Sequence, residues 1–364
     1  MLVEGAVLDA DGPRPAYVRF RHGRVVEVGR PGTDSTHGRD RKIRGIVIPS
    51  PGNGHTHLGD AVSVREPPSG SLARLVGTPG GYKFRLLRDT PRPAKVRAVR
   101  AALARMARAR VGLTVDFREE GLDGIAVFRE AARGSPVRAV VLGRPLARPI
   151  DPVELAAVVR AGDGVGLSSA RDETEATRRT VARACRAAGK RFGLHASEAV
   201  REPPETYLDP RPDLLVHLAR ATPDDLAAVR EAGVTVAVCP RSNALFGRQP
   251  DLRAMERLGV ATMLGTDNAM FHSPSIWREL EFAYIGSRLR HRPVSAEFLA
   301  RAALVEPWRW LGTPAAGRIA PGSPARPIVL RLPPDDPAYQ VVTRTTEHLM
   351  VRVGPDAGPS EGAP

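Results

Sequence analysis

Apolar and polar positions alternate along the first thirty residues. Val3 to Leu8, Ala16 to Arg21 and Arg24 to Val28 each read as a short strand, with turns at Asp11-Gly12-Pro13 and His22-Gly23. Such a meander is too small to stand alone. From residue 46 the texture changes: apolar runs bounded by Gly or Pro recur, and helical periodicity follows most of them. The runs are Ile46 to Ile48, Gly112 to Phe117, Val137 to Leu142, Asp163 to Leu167, Arg191 to His195, Leu214 to His217, Val234 to Cys239 and Val260 to Gly265. Helices are predicted over 123–133, 152–160, 172–188, 223–232, 251–258 and 274–290. The helix over 172–188 opens with acids that suit a positive N-terminal end, and Gly189 stops it. Strands apolar on both faces, alternating with helices, predict an α/β chain built on a (β/α)8 TIM barrel.

After residue 312 the strand texture returns, at Ile328 to Leu332, Gln340 to Thr343 and Leu349 to Val353. The two β-rich ends therefore predict a small β-sandwich domain made of 1–48 and 312–354. The barrel occupies 49–311, and the Pro/Gly-rich residues 355–364 make a frayed tail.

Composition narrows the class. Over 364 residues, 42% hydrophobic and 26% charged content excludes disorder along the whole chain. No apolar run approaches the roughly 18 residues of a membrane span. The N-terminus has neither the basic region nor the apolar stretch of a signal peptide. Cys185 and Cys239 are too few for a disulfide framework or a cysteine-based zinc site, and they suit the cytoplasm. The net charge is +14, carried almost wholly by arginine, since Lys42, Lys83, Lys95 and Lys190 are the lysines. A basic chain can mean a nucleic-acid partner. Here the arginines are spread along the chain, as on ordinary solvated surfaces. Amides are scarce: Asn53, Asn243, Asn268, Gln249 and Gln340, beside 34 Pro, a composition that hints at a thermophile. All three Asn stand next to the residues considered next.

Polar clusters collect at the ends of the predicted strands, where barrel enzymes keep their sites. Asn53-Gly54-His55-Thr56-His57 follows the first. Two His separated by one residue in extended chain point to one side and make a common metal-binding pair, although His-x-His alone also fits a surface or core pair. His195-Ala196-Ser197-Glu198 follows the fifth run, with a Glu able to reach over the same pocket or to lie on a solvated turn. His217 ends the sixth, where a buried hydrogen-bonded role is the plainer reading. Asp267 follows the eighth, where an Asp often only caps a helix. Cys239-Pro240-Arg241-Ser242-Asn243 ends the seventh; Cys239 reads as a packing residue, and Arg241 and Asn243 as pocket contacts or braces. Together, three imidazoles and a carboxylate on one rim would hold Zn2+ or Fe2+ and leave room for water and substrate.

These motifs, with Val216-His217-Leu218 and Leu264-Gly265-Thr266-Asp267-Asn268, resemble the amidohydrolase superfamily, in its cytosine-deaminase-like and chlorohydrolase-like branch. The resemblance spans nearly the whole chain. It implies metal ligation by His55, His57, His195 and Asp267, proton transfer by Glu198, and an attacking water oriented by His217. Binuclear members place a carboxylated Lys at the end of strand four. Here that strand ends Gly166-Leu167-Ser168-Ser169 and no Lys lies between Lys95 and Lys190, so one divalent metal is expected, zinc before iron. Catalysis is assigned to Glu198, His217 and Asp267.

The segment from Val64 to Arg85 departs from longer relatives and reads as a lid or substrate loop. Substrate contacts are expected from Lys83, Arg85, Arg118, Arg144, Arg241, Asn243, Asn268 and His272, the cations meeting an anionic group or being ordinary members of a basic chain. Arg326 stands where the family's Gly-x-Pro-Ala-Asp pattern has Asp, a matter of packing rather than chemistry. Deamination of an aminated heterocycle (a nucleobase, nucleoside or pterin-like ring) is the leading expectation. Ring opening of a cyclic amide, as in imidazolonepropionase, is the alternative, and ammonia release separates the two. A nucleic-acid-binding role is not expected, because a binding module has no need of Glu198 beside a metal; homo-oligomers are common in the family.

Overall fold

The computed structural model describes residues 1–33, 40–63, 65–77, 80–351 and 353, so the expected tail 355–364 lies outside the described residues. In chain order the strands are β1 (Leu2–Asp9), β2 (Gly12–Arg21), β3 (Arg24–Gly29), β4 (Lys42–Pro49), β5 (Gly52–His57), β6 (Leu113–Arg118), β7 (Arg138–Gly143) and β8 (Gly164–Ser169). There follow β9 (Arg191–Ala196), β10 (Leu214–His217), β11 (Thr235–Val238), β12 (Thr262–Leu264), β13 (Asp267–Asn268), β14 (Pro327–Leu330) and β15 (Met350–Val351). The chain divides into two compact units, Met1–Gly52 with Ser295–Pro364, and Asn53–Val294.

The first unit holds one six-stranded sheet in the order β15-β14-β4-β1-β2-β3. Its core is Val3, Val7, Ala16, Val18, Phe20, Val47, Ile319 and Val329. Three sequence expectations are corrected here. The small domain is a single mixed sheet with helices rather than a sandwich, and it extends back to Ser295 because the helices Ala296–Leu304 and Glu306–Trp310 belong to it. Gln340 to Thr343 is helical, within Pro337–Arg344. Pro337 is pre-set for a first helical turn and the Asp336 carboxylate caps Tyr339 N at 3.3 Å, local signals that outweigh the short apolar run. Ile46 to Ile48 is not the first strand of the large sheet. It lies in β4, between β1 and β14, which pair with it on both sides.

The second unit is a mixed α/β body whose parallel strands curl in the order β12-β11-β10-β9-β8-β7-β6-β5-β13. Its first strand is β5, which carries Asn53, His55 and His57 in place of an apolar run. That polarity hid it. The strand survives because its backbone is paired and its polar side chains find partners, Asn53 at Thr266 and Thr56 at Asp116. The end members β12 and β13 are two pieces of one segment. Val238 pairs with Leu264 on one side, and Asp267 and Asn268 pair with Thr56 and His57 on the other. Gly265 permits the approach: a Cβ there would stand 2.7 Å from the His55 backbone nitrogen. Asn53 stitches the same joint, giving its amide to Thr266 Oγ1 at 2.8 Å and accepting from Thr266 N at 3.1 Å.

Predicted helices reappear at Gly121–Ala131, Pro152–Ala161, Glu175–Ala187, Pro223–Glu231, Leu252–Leu258 and Ile276–Leu289. The third begins at Glu175 because Thr174 caps it, leaving Asp172 and Glu173 in the loop before it. The expected lid segment contains the short helix Leu72–Val76 and the helix Tyr82–Asp89; Val64, Thr78 and Pro79 lie outside the described residues.

Candidate metal centre

Alternation along β5 sends His55 and His57 to one side. His195 comes from β9, His217 from the last position of β10, and Asp267 from the first of β13. All five are buried. Phe117 on β6 is their floor, its ring centroid 4.6 Å from that of His55 and 5.0 Å from that of His195. Glycines make room for it. A Cβ on Gly166 would stand 2.4 Å from the Phe117 ring, and one on Gly193 at 2.8 Å.

The donor atoms converge. One from each of His55, His57 and Asp267 lie within 4.8 Å of one another, as do those of His55, His195 and His217, and those of Glu198, His217 and Asp267. Asp267 Oδ1 is 3.3 Å from His55 Nε2 and 3.4 Å from His57 Nε2. His217 Nε2 is 3.5 Å from Glu198 Oε1. Three of these turns need left-handed backbone: φ is +46° at Ser197, +76° at His217 and +60° at Asp267. Such conformations cost energy in non-glycine residues and collect where a side chain must be aimed.

Each group is braced from behind. His195 Nδ1 faces Leu167 O at 2.9 Å, and His217 Nδ1 faces Asn243 Nδ2 at 3.2 Å. Ser242 Oγ donates to Asp267 Oδ2 at 2.5 Å. Ser242 and Asn243 ride on the helix Pro240–Leu245, whose Arg241 N donates to the buried Glu279 at 2.6 Å. Burial pushes the His55 imidazole down to about 3, and burial with neighbouring positive charge lowers His57 and His195 as well. Burial works to raise Asp267, but the close imidazoles of His55, His217 and His57 outweigh it and hold the carboxyl well below its usual range. Neutral imidazoles beside an ionised carboxylate are the protonation states a metal requires. Among the described residues, His55 Nε2 and Asp267 Oδ1 are buried with no hydrogen-bond partner, which costs roughly 1–3 kcal/mol per atom unless something binds there. The donor set fits a divalent cation of the zinc or iron kind.

A cavity of about 210 Å3 opens over this cluster. His57, His195, Glu198, His217 and Asp267 line its inner end. Of the expected substrate contacts, Lys83, Arg144 and Asn268 line it too. Arg85 is exposed and donates to Gly80 O at 2.7 Å, away from the wall. Arg118 is buried against Asp116 and Glu119, Arg241 turns to Glu279 and the Ser273 carbonyl, and Asn243 serves His217. His272 is absent from the lining. Sequence reasoning missed Ser168, Ser169, Arg171, Asp172 and Glu202, which also face the cavity. Glu202 could have been suspected as a carboxylate four residues beyond Glu198. It closes the 197–202 loop through Ser197 N and accepts from Arg171 N at 2.8 Å.

With the geometry in hand, known proteins can be set beside it. No family model matches the chain. A protein of Methanothermobacter thermautotrophicus named as an aminohydrolase is 32% identical over 327 residues, 82% of this chain and 83% of that one. The chain belongs to the amidohydrolase superfamily. It is a hydrolase acting on carbon–nitrogen bonds other than peptide bonds. Aminodeoxyfutalosine deaminase of Deinococcus radiodurans is 41% identical over 88 residues, 22% of this amidohydrolase and 21% of that protein. Among solved structures, a zinc-bound adenosine deaminase from Xanthomonas campestris shares the fold, with TM-score 0.77, 18% identity, and cover of 96% of this chain and 90% of the other. Among the described residues, no helix of this amidohydrolase is long and apolar enough to cross a membrane.

Proposed function

We propose that this amidohydrolase is a mononuclear metal-dependent deaminase of a small aminated heterocycle. Its nine-strand sheet is read as a (β/α)8 barrel with the eighth strand split into β12 and β13. His55, His57, His195 and Asp267 would hold one divalent metal, zinc before iron. The end of β8, Ser168-Ser169, supplies no lysine for a second ion. When bound, that metal supplies a Lewis acid that brings the pKa of water near neutrality.

The chain's own groups do the rest. Asp267, kept ionised, accepts a proton from the attacking water. His217, fixed through Nδ1 by Asn243, orients that water. Burial pushes the Glu198 carboxyl above its usual range, against the pull of His217, so it is kept ready as a donor. Glu198 delivers its proton to the ring nitrogen that faces it, the proton held by Asp267 passes to the amino group, and ammonia departs as the new hydroxyl returns a proton to Glu198. The observation that carries this reading is the convergence of Glu198, His217 and Asp267 within 4.8 Å at the floor of the cavity.

The walls suggest the substrate's shape. Leu72, Ala73 and Val76 form an apolar side, and Arg144 and Arg171 with Ser168, Ser169, Asp172 and Glu202 a polar one that carries both signs of charge, with Arg144 and Arg171 open to an acidic group. That pairing suits a flat ring with an acidic substituent. Aminodeoxyfutalosine enters because the Deinococcus relative is named for it. The test is ammonia release by zinc-loaded protein across adenine, guanine, cytosine, adenosine, pterin and aminodeoxyfutalosine, with a chelated control. Ammonia from at least one ring, abolished by chelation and restored by zinc, is expected. Hydrolysis of cyclic amides without ammonia would replace this reading with ring opening.

A further inference from the structure

His57 differs from its neighbours in what stands behind it. His195 Nδ1 faces a carbonyl, His217 Nδ1 faces an amide, and His55 Nδ1 has no hydrogen-bond partner among the described residues. His57 Nδ1 hydrogen-bonds Phe117 O at 3.0 Å, and Glu119 Oε1, which has no hydrogen bond of its own among the described residues, stands 2.6 Å from the same nitrogen as an ion-pair contact. Glu119 follows β6 and is buried. Its other oxygen accepts from Arg118 Nη2 at 2.6 Å. Arg118 Nη1 also stands 3.3 Å from Asp116 Oδ1. Asp116 Oδ2 in turn accepts from Leu58 N at 2.7 Å and from Thr56 Oγ1 at 3.0 Å. The tip of β6 therefore grips three successive residues at and just past the end of β5: Thr56 and Leu58 through Asp116, and His57 through Glu119. Gly59 leaves space for the buckle, since a Cβ there would stand 2.1 Å from the Arg118 guanidinium.

We propose that Glu119 is the positioning residue of the ligand His57, held in place by Arg118. The Phe117 carbonyl holds Nδ1 and so fixes the tautomer, leaving Nε2 with its lone pair toward the metal, and the negative charge of Glu119 beside Nδ1 makes Nε2 a stronger donor. Arg118 thereby acquires a role within the protein rather than toward substrate. Lys83 adds a second function. Its Nζ reaches the same Glu119 oxygen at 2.5 Å and donates to Asn268 Oδ1 at 3.1 Å, and it lines the cavity. The ammonium competes with His57 for one oxygen, so Lys83 ties the ligand set to the substrate chamber and does not itself strengthen the ligand.

The proposal rests on His57 being a metal ligand, and the test keeps the two apart. Zinc affinity is measured by competition with a chromophoric chelator, and the cobalt-substituted proteins are compared by their visible spectra. Glu119→Gln, which keeps the shape and removes the charge, is expected to weaken zinc binding roughly 10- to 100-fold and to shift the cobalt bands. Lys83→Met is expected to bind zinc as tightly as the wild type or more tightly, with a raised KM. Unchanged affinity and spectrum in Glu119→Gln overturn the proposal. So does a tenfold or greater loss in Lys83→Met, which would mark the ion network as scaffolding and decides the matter if Glu119→Gln does not fold. A wild-type protein that takes up no zinc removes the metal reading itself, and this proposal with it.

Discussion

The two ends of one cavity are built differently. At the inner end most groups are buried and have a dedicated partner: His57 has Glu119, His195 has Leu167 O, His217 has Asn243, and Asp267 has Ser242. At the outer end Arg171, Asp172 and Ala73 are exposed, and Leu72, Val76, Ser168 and Ser169 only half-buried. The first arrangement over-determines geometry, as a reaction needs. The second leaves side chains free to adapt or to change without disturbing the first. Chemistry and substrate choice are thus assigned to different depths of the same hole.

Variants at the two depths should therefore fail in different ways. The largest effect is expected at Glu198. Glu198→Gln should keep its zinc and lose roughly 10^2- to 10^4-fold in kcat, read by steady-state kinetics beside metal content. Near-normal turnover would remove Glu198 from the reaction. Next comes the brace on Asp267. Ser242→Ala deletes one hydrogen bond to a charged acceptor, a contribution of roughly 1.5–3 kcal/mol, and should lower kcat about ten- to hundredfold with little change in KM. A rise in KM alone would place Ser242 with the outer wall. Arg171→Ala tests that wall. It should raise KM about tenfold for substrates bearing a carboxylate and leave neutral ones alone. An equal fall in kcat for both classes would erase the division between the two depths.

The smallest effect concerns a support beneath the inner end. Burial pushes the Glu279 carboxyl up to about 8, opposed only partly by Arg241. The folded protein then binds a proton that the unfolded chain releases near its ordinary value. Stability from this group is full below that ordinary value and is lost as pH rises through about 8. The thermal midpoint of the wild type should fall between pH 5 and pH 9 relative to Glu279→Gln, which keeps an acceptor for Arg241 N. A difference that is flat with pH would show that Glu279 stays ionised.

The inner end was far more legible in the sequence than the outer. His55, His57, His195, His217 and Asp267 each sit at a strand tip or in a strand, and their common placement is visible in the order of apolar runs. Their braces were only half visible. Asn243 stood in a motif as a pocket contact or brace, Glu119 in no motif at all, and Ser242 was passed over between two more conspicuous neighbours. Arg118 and Arg241 were read as substrate contacts because a guanidinium at a rim looks alike whether it faces the cavity or a buried carboxylate. Glu279, which decides the matter for Arg241, is 38 residues away in sequence, and Asp116 and Glu119 flank Arg118 without showing that its guanidinium turns to them and not to the cavity. The outer wall has no periodicity to read, since Ser168 to Asp172 passes from the tip of β8 straight into a short 3-10 turn. Ile46 to Ile48 misled for the opposite reason: a strand buried on both faces has the same signature in either sheet.

Asn53 has a consequence for how this chain assembles. Its amide bonds Thr266 across 213 residues of chain, and β5 has little apolar side chain to draw it inward. Contacts of that separation are entropically expensive and form late. The clasp between the two ends of the curled sheet is therefore expected to be among the last joints made and the first to open. In hydrogen exchange, the amides of β5 and of Gly265 to Asn268 would then be the fast-exchanging seam of an otherwise slow sheet. The strand that brings the first two imidazoles to the centre is also the latch of the fold.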